Sequence, residues 1–257
     1  MPAFDHKSGK YFEIDSARIY VEDIGDKNKR PIVFLHGGMG TIEDFNALLP
    51  LLDPNFRLIG IDSRGHGKST MGNFGLSYRI LEEDVLRIID RLELKRPILI
   101  GFSDGGITAL RIASNPDNKI DKLVVIGSSW HYKYLYKTKE LLGSVTAESW
   151  KTKFPETFEL YQNLNPEPDF NALTAASVAM WLDDSISGHP NENVVKIDCP
   201  VLVVRGDKDH LVDLESTFGL LQLLRKGHFA NVPFVGHEAH TEDFEVVGGF
   251  VCGFLRG

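Results

Sequence analysis

The sequence predicts an α/β fold built on a mostly parallel sheet, and three observations carry that reading. Short apolar runs recur along the chain: PIVFLHG (31–37), FRLIGID (56–62), PILIGFS (97–103), KLVVIGS (122–128), PVLVVRG (200–206) and HFANVPFV (228–235). Their continuous Val, Ile and Leu content is that of strands covered on both faces. Segments of helical periodicity stand between them, and such a β-α alternation places functional groups at the carboxyl ends of the strands. The third observation is length, since 257 residues suit one large domain, or one domain with a small insertion.

Taken in order, KYFEIDS and ARIYVEDIG alternate apolar and polar residues and read as antiparallel edge strands joined by a tight hairpin at Asp15 and Ser16. The segment SYRILEEDVLRIIDRLEL (77–94) sets Ile80, Val85, Leu86, Ile88, Ile89 and Leu92 on one helical stripe, with Glu82, Glu83, Arg87 and Arg91 largely outside it. Comparable helices are predicted at 41–52, 104–114, 213–226 and 240–255. The rhythm breaks between Ser129 and Asn193, where no strand-like run occurs but Trp130, Trp150, Trp181, Tyr132, Tyr134, Tyr136, Phe154, Phe158 and Tyr161 all fall. An insertion of that length is too long for a plain loop. It predicts a helical cap, or lid, at 129–193 over a core formed by 1–128 and 194–257. Its rings suit a substrate with apolar or aromatic portions, with Trp130 and Trp181 as candidate contacts, and they also suit packing of the cap onto the sheet.

A formal net charge of -8 disfavours nucleic acid and anionic membrane as partners and leaves a small molecule as the expected one. The first residues, MPAFDHKSGKYFEID, carry charge where a signal peptide needs an apolar core. No apolar run reaches the roughly 18 residues of a membrane helix, so a cytoplasmic location is expected. Cys199 and Cys252 each read as a buried free thiol, and neither has metal-ligand spacing. Neither metal nor cofactor is expected: HEAH (237–240) lacks the extra residue of H-E-x-x-H, and the Gly67-Lys68-Ser69 run has Asp62 where a phosphate loop needs glycine. IDSRGHGKST (61–70) therefore reads as a structural turn.

The chemistry-bearing stretch is GFSDGG (101–106). Alone, G-x-S-x-G is a weak pattern, but here Ser103 ends an apolar strand and precedes the helical DGGITALRIAS, the setting of a nucleophile elbow. A serine hydroxyl needs a base and the base needs an orienting acid, in the chain order nucleophile, acid, histidine. Asp209 in VLVVRGDKDH supplies the acid, preferred over its neighbour Asp207, and His237 in FVGHEAH supplies the base, preferred over His240. The loop LHGGMGT (35–41) stands where one oxyanion-binding amide is needed, with Gly38 the better donor and Met39 the alternative; the Asp104 amide supplies the other. Met39 is also a candidate substrate contact, and His36 is expected to pin the loop rather than to transfer protons.

Together Gly101-x-Ser103-x-Gly105, His36-Gly37-Gly38, Asp62-x-Arg64-Gly65-x-Gly67-x-Ser69, Gly206-x-x-Asp209 and Gly236-His237 resemble the α/β-hydrolase superfamily over nearly the whole chain. The resemblance implies an eight-stranded, mostly parallel sheet with one antiparallel strand and a cap after the sixth strand. Among capped members the chain is similar to the esterase, perhydrolase-like, C-C hydrolase and amino-acid-ester hydrolase groups. Ser103 argues against the haloalkane dehalogenase and epoxide hydrolase groups, which place an aspartate at the nucleophile. The expected activity is hydrolysis of a small carboxylic ester through an acyl-enzyme on Ser103, Asp209 and His237. Thioester, C-C or perhydrolase-type chemistry on the same residues, and a small-molecule receptor that retains the fold, are the alternatives. The Asp104 carboxylate has two readings, a first-turn helix acid favoured by the helix dipole or an anchor for a cationic substrate group.

Overall fold

The computed structural model describes residues 2–257. Strands β1 (Lys10–Ile14), β2 (Ala17–Ile24), β3 (Arg30–Leu35), β4 (Phe56–Ile61), β5 (Ile98–Phe102), β6 (Lys122–Ile126), β7 (Val201–Gly206) and β8 (Gly227–Val232) form one sheet. Its order is β1-β2-β4-β3-β5-β6-β7-β8. β2 runs antiparallel to both β1 and β4, and every other pairing is parallel. The hairpin turns at Asp15, which takes φ 51.

Side chains alternate across the sheet as the pleat requires. Val33, Leu35, Leu99, Leu123, Val125, Val201 and Val203 pack on one face, with Val85 and Ile88 of α1 (Tyr78–Arg91) and Leu110 of α2 (Asp104–Ala113). Ile32, Phe34, Ile98, Ile100, Val124, Ile126 and Val204 fill the other, with Phe45, Val247 and Val251. Burial on both faces is why these strands are continuously apolar.

Between β6 and β7 the chain forms a 3-10 turn (Tyr132–Lys137) and helices α3 (Lys139–Gly143), α4 (Ala147–Lys153), α5 (Pro155–Leu164) and α6 (Phe170–Trp181). Tyr161, Phe170, Leu173, Met180 and Trp181 of this segment share a cluster with Met39, Tyr78 and Ile107 of the sheet domain. The helices α7 (Leu214–Leu223), α8 (Ala239–Glu242) and α9 (Phe244–Arg256) complete the chain. Among the described residues, no helix is long and apolar enough to cross a membrane.

Three expectations are corrected. The stretch 41–52 is not one α-helix but two 3-10 turns, Ile42–Phe45 and Leu49–Leu51; Pro50 has no amide to extend an α-ladder, and Thr41 and Asp44 close a capping box on the first turn. The final helix is divided at Asp243, whose backbone leaves the helical region at φ -142 and ψ 68 while its side chain caps α9 by accepting from the Val246 amide. Cys199 and Cys252 are free, yet half-buried rather than buried.

Close packing at the start of α2 brings that helix against the sheet edge. A Cβ on Gly105 would stand 2.0 Å from the Leu35 carbonyl oxygen, and one on Gly106 would stand 1.9 Å from Ser128 Oγ. Only hydrogen fits at either position, so α2 closes directly onto the ends of β3 and β6.

Candidate active site

Ser103 joins β5 to α2 with φ 48 and ψ -114, a conformation that costs a non-glycine residue energy and persists because its surroundings hold it. Its amide donates to the Ile126 carbonyl at 2.9 Å, and its own carbonyl accepts from the Gly106 and Ile107 amides, each at 3.0 Å. The side chain is thereby lifted out of the strand at the sheet's carboxyl edge.

His237, on the loop after β8, reaches Ser103 Oγ with Nε2 at 3.1 Å. Its Nδ1 lies 3.0 Å from Asp209 Oδ2 and 3.1 Å from Oδ1. A carboxylate accepts only, so Nδ1 carries the proton, and Nε2 is left with a lone pair facing the serine hydroxyl. Asp209 Oδ1 also accepts from the amides of Leu211 at 2.8 Å and Val212 at 3.0 Å. Burial works against the charge on Asp209, but His237 and these amides outweigh it and hold the carboxyl below its ordinary value. Asp207, the rival in the same turn, is exposed. His240, the rival base, is fully buried between Phe102 and Phe45, and burial pushes its pKa down to about 3.

The loop after β3 is pinned by His36. The Ser63 amide donates to its Nε2 at 2.9 Å, so its Nδ1 holds the proton and donates to the Gly37 carbonyl at 2.7 Å. Burial, helped by nearby His66, lowers the His36 pKa to about 4, so the ring is neutral. A Cβ placed on Gly37 would lie 3.3 Å from Ser103 Cβ, which puts this loop directly against the serine. The amides of Gly38, Met39 and Asp104 find no acceptor among the described residues. Unspent amides beside a nucleophile are what an oxyanion needs.

The Asp104 carboxylate turns toward the same space. Its Oδ1 accepts from Tyr78 Oη at 2.7 Å and its Oδ2 from Trp181 Nε1 at 2.8 Å. Burial raises its pKa against the pull of these two donors. A Cβ on Gly38 would meet Asp104 Oδ2 at 2.6 Å and Trp181 Cζ2 at 2.9 Å, so glycine is needed where loop, acid and indole converge.

All of this opens onto a cavity of about 820 Å3. Leu135, Leu142, Val145, Trp150 and Phe154 of the inserted segment give it an apolar wall, and Asp44, Asp104, Glu238 and Glu242 give it carboxylates. Lys153 is the only lysine or arginine among its described lining residues. Burial, with Glu238, Asp62 and Glu43 nearby, pushes Asp44 up to about 7 against the Thr41 amide.

The structure thus brings together Ser103, Asp209, His237, Gly38, Met39, Asp104 and Trp181. Trp130 stands apart: it is 2% exposed within the sheet core, and its Nε1 donates to the Ser216 carbonyl at 2.8 Å. Tyr78 was not anticipated. It opens α1 just beyond the predicted apolar stripe, and no local pattern announces a hydroxyl aimed at a residue 26 positions away.

A parallel sheet of this order with a strained serine turn at its centre defines a protein of the α/β-hydrolase class. Residues 30–182 match the family model for the alpha/beta hydrolase fold, and the chain belongs to that family. It is 26% identical over 259 residues to the serine hydrolase BPHL of Mus musculus, covering 95% of this chain and 84% of that protein. It is 24% identical over 270 residues to the bifunctional esterase/perhydrolase DCH of Acinetobacter calcoaceticus, covering 94% of this chain and 97% of that one. The solved esterase EaEST from Exiguobacterium antarcticum superposes with a TM-score of 0.81 at 24% identity, covering 97% of this chain and all of that one, which shows the shared fold.

Proposed function

We propose that this hydrolase cleaves a small carboxylic ester with an apolar or aromatic portion, through an acyl-enzyme on Ser103. The observation that carries the reading is the unbroken Ser103–His237–Asp209 chain opening onto a cavity beside unspent amides. Ser103 Oγ attacks the ester carbonyl while His237 Nε2 takes its proton, and Asp209 stabilises the imidazolium. The amides of Gly38 and Asp104 hold the oxyanion as the carbonyl becomes tetrahedral. The imidazolium then protonates the leaving alcohol, and water, deprotonated by His237, releases the acid and restores the serine. Residues 129–193 serve as the cap, with Met39 and Trp181 against the substrate. The activities for which the relatives are named, esterase among them, agree with this reading. A fluorophosphonate probe should label Ser103, located by mass spectrometry; labelling elsewhere in the chain sinks the assignment.

A second layer concerns charge. Asp104 is a buried carboxylate on the cavity wall whose partners, Tyr78 and Trp181, are neutral, and the wall also carries Glu238 and Glu242, with Asp44 partly protonated at neutral pH, against Lys153. Such a wall favours an ester bearing an ammonium or other cationic group. Asp104→Asn should cut the preference for amino-acyl esters over matched neutral esters by about 30-fold or more, the scale of losing one partner of a desolvated charge pair. A ratio of kcat/KM values that stays put overturns the cationic reading and leaves the ester reading standing.

A further inference from the structure

The segment Phe4–Ser8 lies against the turn that succeeds the loop carrying Gly38. Phe4 is 1% exposed and packs edge-on to Phe34 with ring centroids 5.8 Å apart. Phe4 and Asn46 exchange two hydrogen bonds, amide to Oδ1 at 2.8 Å and Nδ2 to carbonyl at 2.9 Å. Two residues on, His6 is 1% exposed, with Nδ1 2.6 Å from Glu43 Oε1 and Nε2 2.8 Å from Asp62 Oδ2.

Both ring nitrogens face carboxylates, which accept only, so the geometry is that of an imidazolium with two donors. Asp62 passes the constraint on. Its Oδ1 accepts from the Ile42 amide at 3.1 Å and its Oδ2 from the Lys68 amide at 2.8 Å, while Lys68 Nζ donates back to the His6 carbonyl. The groups around His6 are Asp62 at the end of β4, Glu43 from the 3-10 turn, Lys68 from its loop, and Tyr20 of β2 stacked on the ring at 5.6 Å with Glu22 behind it. Nothing else in the reaction scheme uses His6.

We infer that His6 is a positioning residue for the Gly38 loop: as a cation it clamps Asp62 and Glu43, and through the Ile42 amide it fixes the end of the loop that His36 does not reach. The inference rests on the ester-cleaving reading, in which that loop supplies an oxyanion amide. Burial opposes the charge on His6, but Asp62 and Glu43 outweigh it and raise its pKa to about 9. Because the folded-state value lies above the ordinary one, the clamp is complete at pH below about 6.5 and is lost as pH rises through about 9.

The test compares wild type, His6→Asn and Asn46→Ala, the last loosening the same segment without touching the imidazole. His6→Asn should lower kcat on a p-nitrophenyl ester by about tenfold with KM little changed, as expected of a displaced transition-state donor. Wild-type kcat should fall above about pH 9 while the protein stays folded, and the variant should lack that limb. Asn46→Ala should melt lower but keep the wild-type kcat and pH profile. Hydrogen exchange of residues 38–44, corrected for its intrinsic pH dependence, should accelerate in His6→Asn and in wild type above the same pH. That readout decides the inference even if the wild type turns over no ester, a result that would count against the ester reading alone. It decides equally if His6→Asn fails to fold, since wild-type exchange carries the pH test. Unchanged kcat and exchange in His6→Asn, an unaltered loop across pH 9 in wild type, or an Asn46→Ala variant that reproduces the full effect would overturn it.

Discussion

Ser103→Ala is expected to lower kcat on a p-nitrophenyl ester by about five to six orders of magnitude with KM nearly unchanged, because no other hydroxyl can take its place at His237 Nε2. Residual turnover of about a thousandfold over water is expected from binding and the unspent amides alone. Stability should barely move. The strained φ of 48 burdens serine and alanine alike, and Ser103 Oγ makes its hydrogen bond to His237 rather than to the core. A melting curve that matches wild type beside a collapsed rate separates loss of chemistry from loss of fold; full turnover in Ser103→Ala rules out the mechanism.

Asp209→Asn should cost about four orders of magnitude in kcat. The amide that replaces the carboxylate can present an N-H to His237 Nδ1, which favours the tautomer protonated at Nε2, the wrong one to accept from Ser103. The Leu211 and Val212 amides, both within 3.0 Å of Oδ1, fix the new oxygen and so promote this inversion. The comparison variant Asp207→Asn sits on an exposed side chain and should stay within about twofold of wild type. Equal losses in the two variants would mean that the GDKD turn matters for folding and not for orienting the histidine. Since the Asp209 carboxyl is held below its ordinary value, its contribution is present across neutral pH and is lost only as pH falls through the acid range.

The sheet was legible because burial on both faces writes β3 to β7 as nearly unbroken apolar runs, while β8 at the sheet edge stays partly exposed; the five parallel pairings join the six runs named from sequence. The elbow and its partners were legible for a related reason, namely that Ser103, Asp209 and His237 each come just after a strand end, where side chains must converge. Helix limits were harder. The 41–52 stretch has helical apolar spacing, yet a capping box and Pro50 reduce it to two tight turns, a local competition that periodicity does not weigh. Tyr78, Trp181 and Asp104 meet through tertiary folding alone, 26 and 77 residues apart along the chain, so Asp104 could be nominated from its place in the elbow and Trp181 merely as one aromatic of several, while Tyr78 could not. Trp130, equally aromatic, went to the core, where its Nε1 donates to the Ser216 carbonyl 86 residues along the chain. His6 carried no signal, since its partners Glu43 and Asp62 are 37 and 56 residues distant.

The carboxylates on the cavity wall also bear on how a catalytic cycle ends. A neutral ester enters without electrostatic penalty, but its hydrolysis leaves an acid that ionises at neutral pH. Glu238 and Glu242, on the exposed side of the cavity, then face a newly made anion, and Lys153 is the lone lysine or arginine among its described lining residues. Like charges repel, less so where solvent screens them. On the ester-cleaving reading, the wall therefore binds the acid product less well than the neutral ester, and product inhibition should stay slight.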